Sequence, residues 1–154
     1  MKKLHLSRNS NSSGFSFMEV AISSFLVMVL AVVAINISIL VFACAVNDKA
    51  CRDAVRAAAQ QPTSSKAQNF ALASVKNHKT DGFFISPVQM TNFNYNDFGG
   101  APPPAGQCPY VQVTTSVNVT LPAPVIFFGS SMTNHMTFSQ IYTSPIIKTK
   151  VVMP

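Results

Sequence analysis

The sequence predicts an α+β protein: one long N-terminal helix, half of it apolar, packed on a small antiparallel β-sheet. Three observations carry this. Residues 15–61 contain neither glycine nor proline, residues 20–46 also lack every charged side chain, and from about residue 110 the apolar positions alternate strictly. The first two describe an uninterrupted helix and the third a strand with one buried face. Three segments follow from these changes of pattern: residues 1–14, the helix over 15–61, and an α+β domain over 62–154.

The helix is expected to stop before Pro62, whose ring cannot continue it. At about 1.5 Å per residue it would be near 70 Å long. Its second half, from Asn47 to Gln61, is Ala-rich and places Asp48 with Arg52 and Lys49 with Asp53 at i,i+4 spacing. A second helix is predicted over residues 64–77, with Thr63 or Ser64 as its cap and Ala67, Phe70, Ala71 and Val75 along one stripe. Residues 83–90 read as a strand that Pro87 confines to an edge or breaks. The stretch 98–106, with three consecutive prolines between glycines, reads as a polyproline-like loop.

The clearest period follows. Val111, Val113, Val117, Val119 and Leu121 share a face with Thr115, and Gln112, Thr114, Ser116, Asn118 and Thr120 share the other. Further strands are predicted at 125–128, 137–143 and 146–152, separated by turns at Gly129-Ser130-Ser131 and Ser144-Pro145.

The N-terminus has its own order. Lys2, Lys3, His5 and Arg8 precede a polar segment ending at Gly14, then come Phe15 and Glu19, then the apolar run. About 20 apolar residues cross the hydrocarbon of a bilayer, so residues 20–46 are long enough to span it. A secretory signal is cut after a short apolar stretch, whereas the candidate cut here precedes the apolar run. Positive charge ahead of a single span predicts a cytoplasmic N-terminus and an exported C-terminal part. A carboxylate at the edge of such a span costs on the order of 3 kcal/mol and usually marks function. Glu19 can also be read as a charge that suits the first turn of a helix.

The stretch Gly14-Phe15-Ser16-Phe17-Met18-Glu19-Val20, together with the basic leader and the span, resembles the class III signal of prepilins and pseudopilins of type IV pili, type II secretion and Tad machines. The resemblance implies cleavage after Gly14 by a prepilin peptidase, methylation of the new N-terminal Phe15, and a role for Glu19 in assembly with the Phe15 amine of a neighbour. It implies, as partners, other pilin subunits through the N-terminal helix and an inner-membrane assembly platform. Residues 52–59, followed by the Val/Thr-rich strand, resemble Tad-type, TadE-like minor pseudopilins. Asn36 stands where many pilins carry a proline. The expected location is the cytoplasmic membrane, with the C-terminal domain exported.

Other functions have little support in the sequence. Three of the eleven basic residues lie in the leader, so the net charge of +6 overstates that of a processed chain and does not point to nucleic acid. Only Asp48, Asp53, Asp81 and Asp97 follow the span as carboxylates, with His78 and His135 apart from each other, and no nucleophile or phosphate-loop motif is present. No enzyme activity and no cofactor are expected. Zinc would need about four N or S ligands at suitable spacing, which Cys44, Cys51 and Cys108 do not supply. In an oxidising compartment Cys51 and Cys108 are the expected bridge, with Cys44 a small buried thiol. Two functional classes remain: a structural or initiating subunit of a pilus-like filament, or a membrane-tethered module that binds a surface, DNA or a secreted substrate.

Overall fold

The computed structural model describes residues 12–122, 126–127, 130–131 and 134–147. It shows the α+β architecture the sequence predicts. Helix α1 is Ser12–Ala59 and helix α2 is Ser64–Asn77; the strands are β1 (Gln89–Asn96), β2 (Tyr110–Thr120), β3 (Ile126–Phe127), β4 (Ser130–Ser131) and β5 (His135–Pro145). The chain divides into two compact units, Met1–Ile35 and Asn36–Pro154.

In the first unit α1 begins three residues earlier than expected. From residue 16 to 35 every side chain is exposed except the partly buried Val32. Among the described residues α1 is the one helix long and apolar enough to cross a membrane. The last turn of α1, in the second unit, tightens as the Gln61 amide donates to the Ala58 carbonyl at 3.0 Å. Pro62 follows and stops the helix.

The second unit is built around a three-stranded antiparallel sheet in the order β1-β2-β5. Central strand β2 shows the predicted alternation, with Val111, Val113, Thr115, Val117 and Val119 buried on one face. The three strands contain no Asp, Glu, Lys or Arg. Helix α2 has the predicted bounds and buries Ala67, Ala71 and Val75, while Phe70 of the expected stripe is 51% exposed.

Strand β1 corrects the expectation for 83–90. Pro87 breaks that segment: before it Ile85 alone bridges, to Val119, after it Gln89 and Met90 already belong to β1, and the strand lies six residues further on than expected in an Asn-rich stretch of poor strand propensity. A bulge between Met90 and Asn92 hides the period, because Met90 pairs with Thr115 and Phe93 with Val113. One extra residue thus brings an even and an odd position onto the same inward face.

Strand β5 is longer than predicted. Ser144-Pro145 is its last stretch rather than a turn, Tyr110 pairing with Pro145, which an edge strand tolerates. Ile146 and Ile147 then leave the sheet, their amides donating to Pro109 and Ala59 carbonyls at 3.0 Å each. The rest of the strand expected at 146–152 lies outside the described residues. Ser130-Ser131, expected as a turn, pairs with Ile126-Phe127 as a two-residue ladder; Val125, Phe128 and Gly129 lie outside the described residues. In the proline loop Phe98–Gly100 is a 3-10 turn with positive φ at all three residues.

The Ala-rich half of α1 lies on the inner face of the sheet. Ala50, Cys51, Ala54, Val55, Ala58 and Ala59 pack with Ala67, Ala71 and Val75 of α2 and with Val88, Val111, Val113 and Ile146. Ala43 joins a second cluster with Ile85, Val117, Val119 and Leu121, flanked by Ile39, Leu40, Phe84 and Phe138. Positions 43, 47, 50, 51, 54 and 58 recur at three- and four-residue steps and form one stripe. Small side chains there let the helix backbone approach the strands closely. Residues 39–46, part of the apolar run expected to cross a membrane, therefore contribute one face to the domain core.

Candidate functional site

The structure places the sequence-predicted residues in two separate regions. Gly14 and Phe15 lie in the first turn of α1, the Phe15 side chain being outside the described ones. Glu19 follows one turn later, exposed among Met18, Val20, Ile22 and Ser23. Nearby Ser24 turns its hydroxyl back to the Val20 carbonyl at 2.7 Å, so the helix satisfies it internally. Glu19 is thus a carboxylate on an apolar rod, held by nothing in its own described surroundings except its place on the helix.

The second region fastens α1 to the sheet, and sequence reasoning missed most of it. Asn47 and Thr115 are fully buried; the Thr115 hydroxyl donates to Asn47 Oδ1 at 2.8 Å and Asn47 Nδ2 donates to the Phe138 carbonyl at 3.2 Å. The available signal was a polar residue in each of two apolar stripes, Thr115 among valines and Asn47 among alanines. One turn away, Tyr142 donates to Asp48 at 2.6 Å and accepts from Arg52 Nε at 3.0 Å, with the guanidinium 5.2 Å from its ring centre. The predicted Asp48 to Arg52 pair is present at 3.0 Å. The Tyr142 hydrogen bond, reinforced by the Asp48 charge, raises the Arg52 pKa further. Asp53 takes His78 at the end of α2 as its partner, at 3.1 Å, rather than Lys49.

The expected Cys51–Cys108 bridge is not formed. All three cysteines are free; Cys51 is fully buried, its thiol 3.3 Å from the Val113 carbonyl and 3.5 Å from that of Gln140, and Cys108 is exposed. The reason is strand length. Cys51 sits level with Val113, five residues along the chain from Cys108, or about 16 Å at strand rise, while a bridge requires Cα atoms within about 7 Å. Burial pushes the Cys51 thiol pKa up against the hydrogen bonds from Thr115 and Tyr142 that lower it. In native protein, iodoacetamide is therefore expected to modify Cys108 at the rate of a free thiol and Cys51 about a thousandfold more slowly, since Cys51 reacts only on local opening. Mass mapping of the alkylated peptides over time checks this. Equal rates would show that the helix–sheet contact is open.

Among the described residues no group of three or more His, Cys, Asp or Glu side chains is placed to hold a metal ion. Comparison of the chain with known families, curated proteins and solved structures finds no match.

Proposed function

We propose that the chain is a pilin-like subunit, a minor pilin or pseudopilin, processed at Gly14 and assembled through the N-terminal half of α1. The observation that carries this reading is the order of features along the chain: a basic leader in the sequence, then on α1 Gly14-Phe15, exposed Glu19 and exposed apolar side chains through residue 35, before the later part of α1 joins the domain core. Twenty residues of helix measure about 30 Å, the thickness of a bilayer's hydrocarbon. Residues 16–35 can therefore cross it without using the face of residues 39–46 that packs on the sheet. An all-round exposed apolar helix carrying one carboxylate suits both lipid and the helices of neighbouring subunits.

The test is processing. In the native membrane the mature chain should begin at Phe15, and Gly14→Val should leave a full-length precursor, read as intact mass and N-terminal sequence. Assembled protein that still carries Met1 or Lys2 would overturn the proposal and favour a membrane-tethered binding module.

A further inference from the structure

We propose that the outward edge of β5 is a strand-pairing site for the same edge of a second copy of this chain, in antiparallel register about Ser139.

Which backbone groups of β5 face outward follows from the bonds of β2. On its β1 side the Asn118 carbonyl accepts from Ser86 N–H at 2.8 Å and Thr120 N–H donates to the Phe84 carbonyl at 2.7 Å; on its β5 side Leu121 N–H donates to the Asn134 carbonyl at 2.8 Å. Successive residues of a strand alternate, so the even-numbered residues of β2 turn both N–H and C=O toward β1 and the odd-numbered ones toward β5. The register pairs each odd residue of β2 with an even residue of β5, from Val111 with Ser144 to Val119 with Met136. The even residues of β5 thus bond β2, and His135, Thr137, Ser139, Ile141 and Thr143 point N–H and C=O away from the sheet. Among the described residues none pairs with these groups.

Folded proteins usually blunt an open strand edge with charge, proline, a bulge or a covering element. The β1 strand has two of these devices, the bulge between Met90 and Asn92 and helix α2 packed against it. Between His135 and Ser144, β5 has no charge, proline or bulge. Its register with β2 runs without a shift, it carries no Asp, Glu, Lys or Arg, and all five outward residues are exposed, Ile141 at 60%.

The edge suits a second copy because it is self-complementary. Two β5 strands turned antiparallel about Ser139 place Ser139 opposite its own copy, Thr137 opposite Ile141 and His135 opposite Thr143. Each outward N–H and C=O then finds a partner, about ten hydrogen bonds in all, the number typical of a specific interface. Pro145 fixes the register: it is the next outward residue and has no N–H, so centring the pair on Ile141 would set Thr137 against it and lose donors. In the Ser139 register the β-branched Thr137 and Ile141 lie side by side, a favourable cross-strand pair, and no like charges meet. Asn47 bonds Thr115 and Cys51 bonds the Val113 carbonyl, so α1 runs parallel to β5. A two-fold pair therefore sets the two sheet-bound helix segments in opposite directions, a contact separate from the side-by-side helix packing of the proposed filament.

Cross-linking and association of the full chain in detergent test this, in a Cys108→Ser background that removes the exposed native thiol. Ser139→Cys should oxidise to a covalent dimer at least about tenfold faster than Thr143→Cys, whose two copies would lie about 27 Å apart at strand rise. A mixture of His135→Cys and Thr143→Cys chains should give the mixed dimer. In sedimentation equilibrium Ile141→Lys should weaken association about tenfold or more, since an edge lysine opposes strand addition, and leave the urea midpoint unchanged. Ser139→Pro, which removes an outward N–H that bonds nothing within the chain, should act in the same way. A chain that stays monomeric at every concentration reached overturns the proposal, as does equal cross-linking of Ser139→Cys and Thr143→Cys. Association that Ile141→Lys leaves unchanged would assign it to another surface and overturn the proposal as well.

Discussion

Glu19→Gln is expected to abolish incorporation into filaments while leaving cleavage, insertion and the sheet domain intact. Glutamine keeps the size of the side chain and removes only its charge. If Glu19 merely suited the first turns of the helix, that loss would cost at most about 1 kcal/mol. If it pairs in lipid with the Phe15 amine of a neighbour, removing one partner leaves the other charge buried and costs about 3 to 5 kcal/mol per contact. The repetition of this contact along a filament makes the outcome close to all-or-none. Expression at native level, with processing, membrane insertion and recovery in sheared filaments scored separately, checks it. Normal recovery of Glu19→Gln would remove the assembly role.

Asn47→Ala is expected to be among the most destabilising single changes in the domain. It leaves the buried Thr115 hydroxyl without its acceptor and the Phe138 carbonyl without its donor, and it opens a void between helix and sheet. An unsatisfied buried group costs about 1 to 3 kcal/mol, and the cavity adds to this. Thr115→Val, which orphans only Asn47 Oδ1, should cost less. The double variant Asn47→Leu with Thr115→Val replaces both partners by apolar groups and should recover much of the loss. Urea unfolding in detergent of the wild type, Asn47→Leu, Thr115→Val and the double variant closes the cycle and gives the coupling energy directly. Additive losses in the double variant would show that the two side chains act independently.

The helices and the central strand were legible because their signals are local. Residues 15–61 lack glycine and proline, Thr63-Ser64 opens α2 where expected, and the valines of β2 alternate without interruption. Strand β1 was not legible, since its bulge breaks the period and its asparagines argue against a strand. The length of β5 depended on pairing with β2, which a partner strand fixes and the segment itself does not. At the candidate site, Gly14, Phe15 and Glu19 lie close in sequence and could be read together. The contacts among Asn47, Asp48, Arg52, Thr115 and Tyr142 join residues up to 94 positions apart. Spacing could not reveal them, and the same long-range geometry undid the expected cysteine bridge.

Ala43 clusters with Val117 and Val119, Asn47 bonds Thr115 and Cys51 bonds the Val113 carbonyl, so α1 runs antiparallel to β2, and this has a mechanical consequence. Tension applied along α1 meets the sheet contacts in shear: the Asn47 hydrogen bonds, the Cys51 thiol contacts, the Asp48–Arg52–Tyr142 group and the Ala stripe all resist sliding at once. A pull perpendicular to the helix would instead load them one after another, from the Ala43 end. Load shared in parallel must break many contacts in a single event, whereas load taken in series peels them at low force. The helix–sheet contacts therefore resist a pull along the helix more strongly than one from the side.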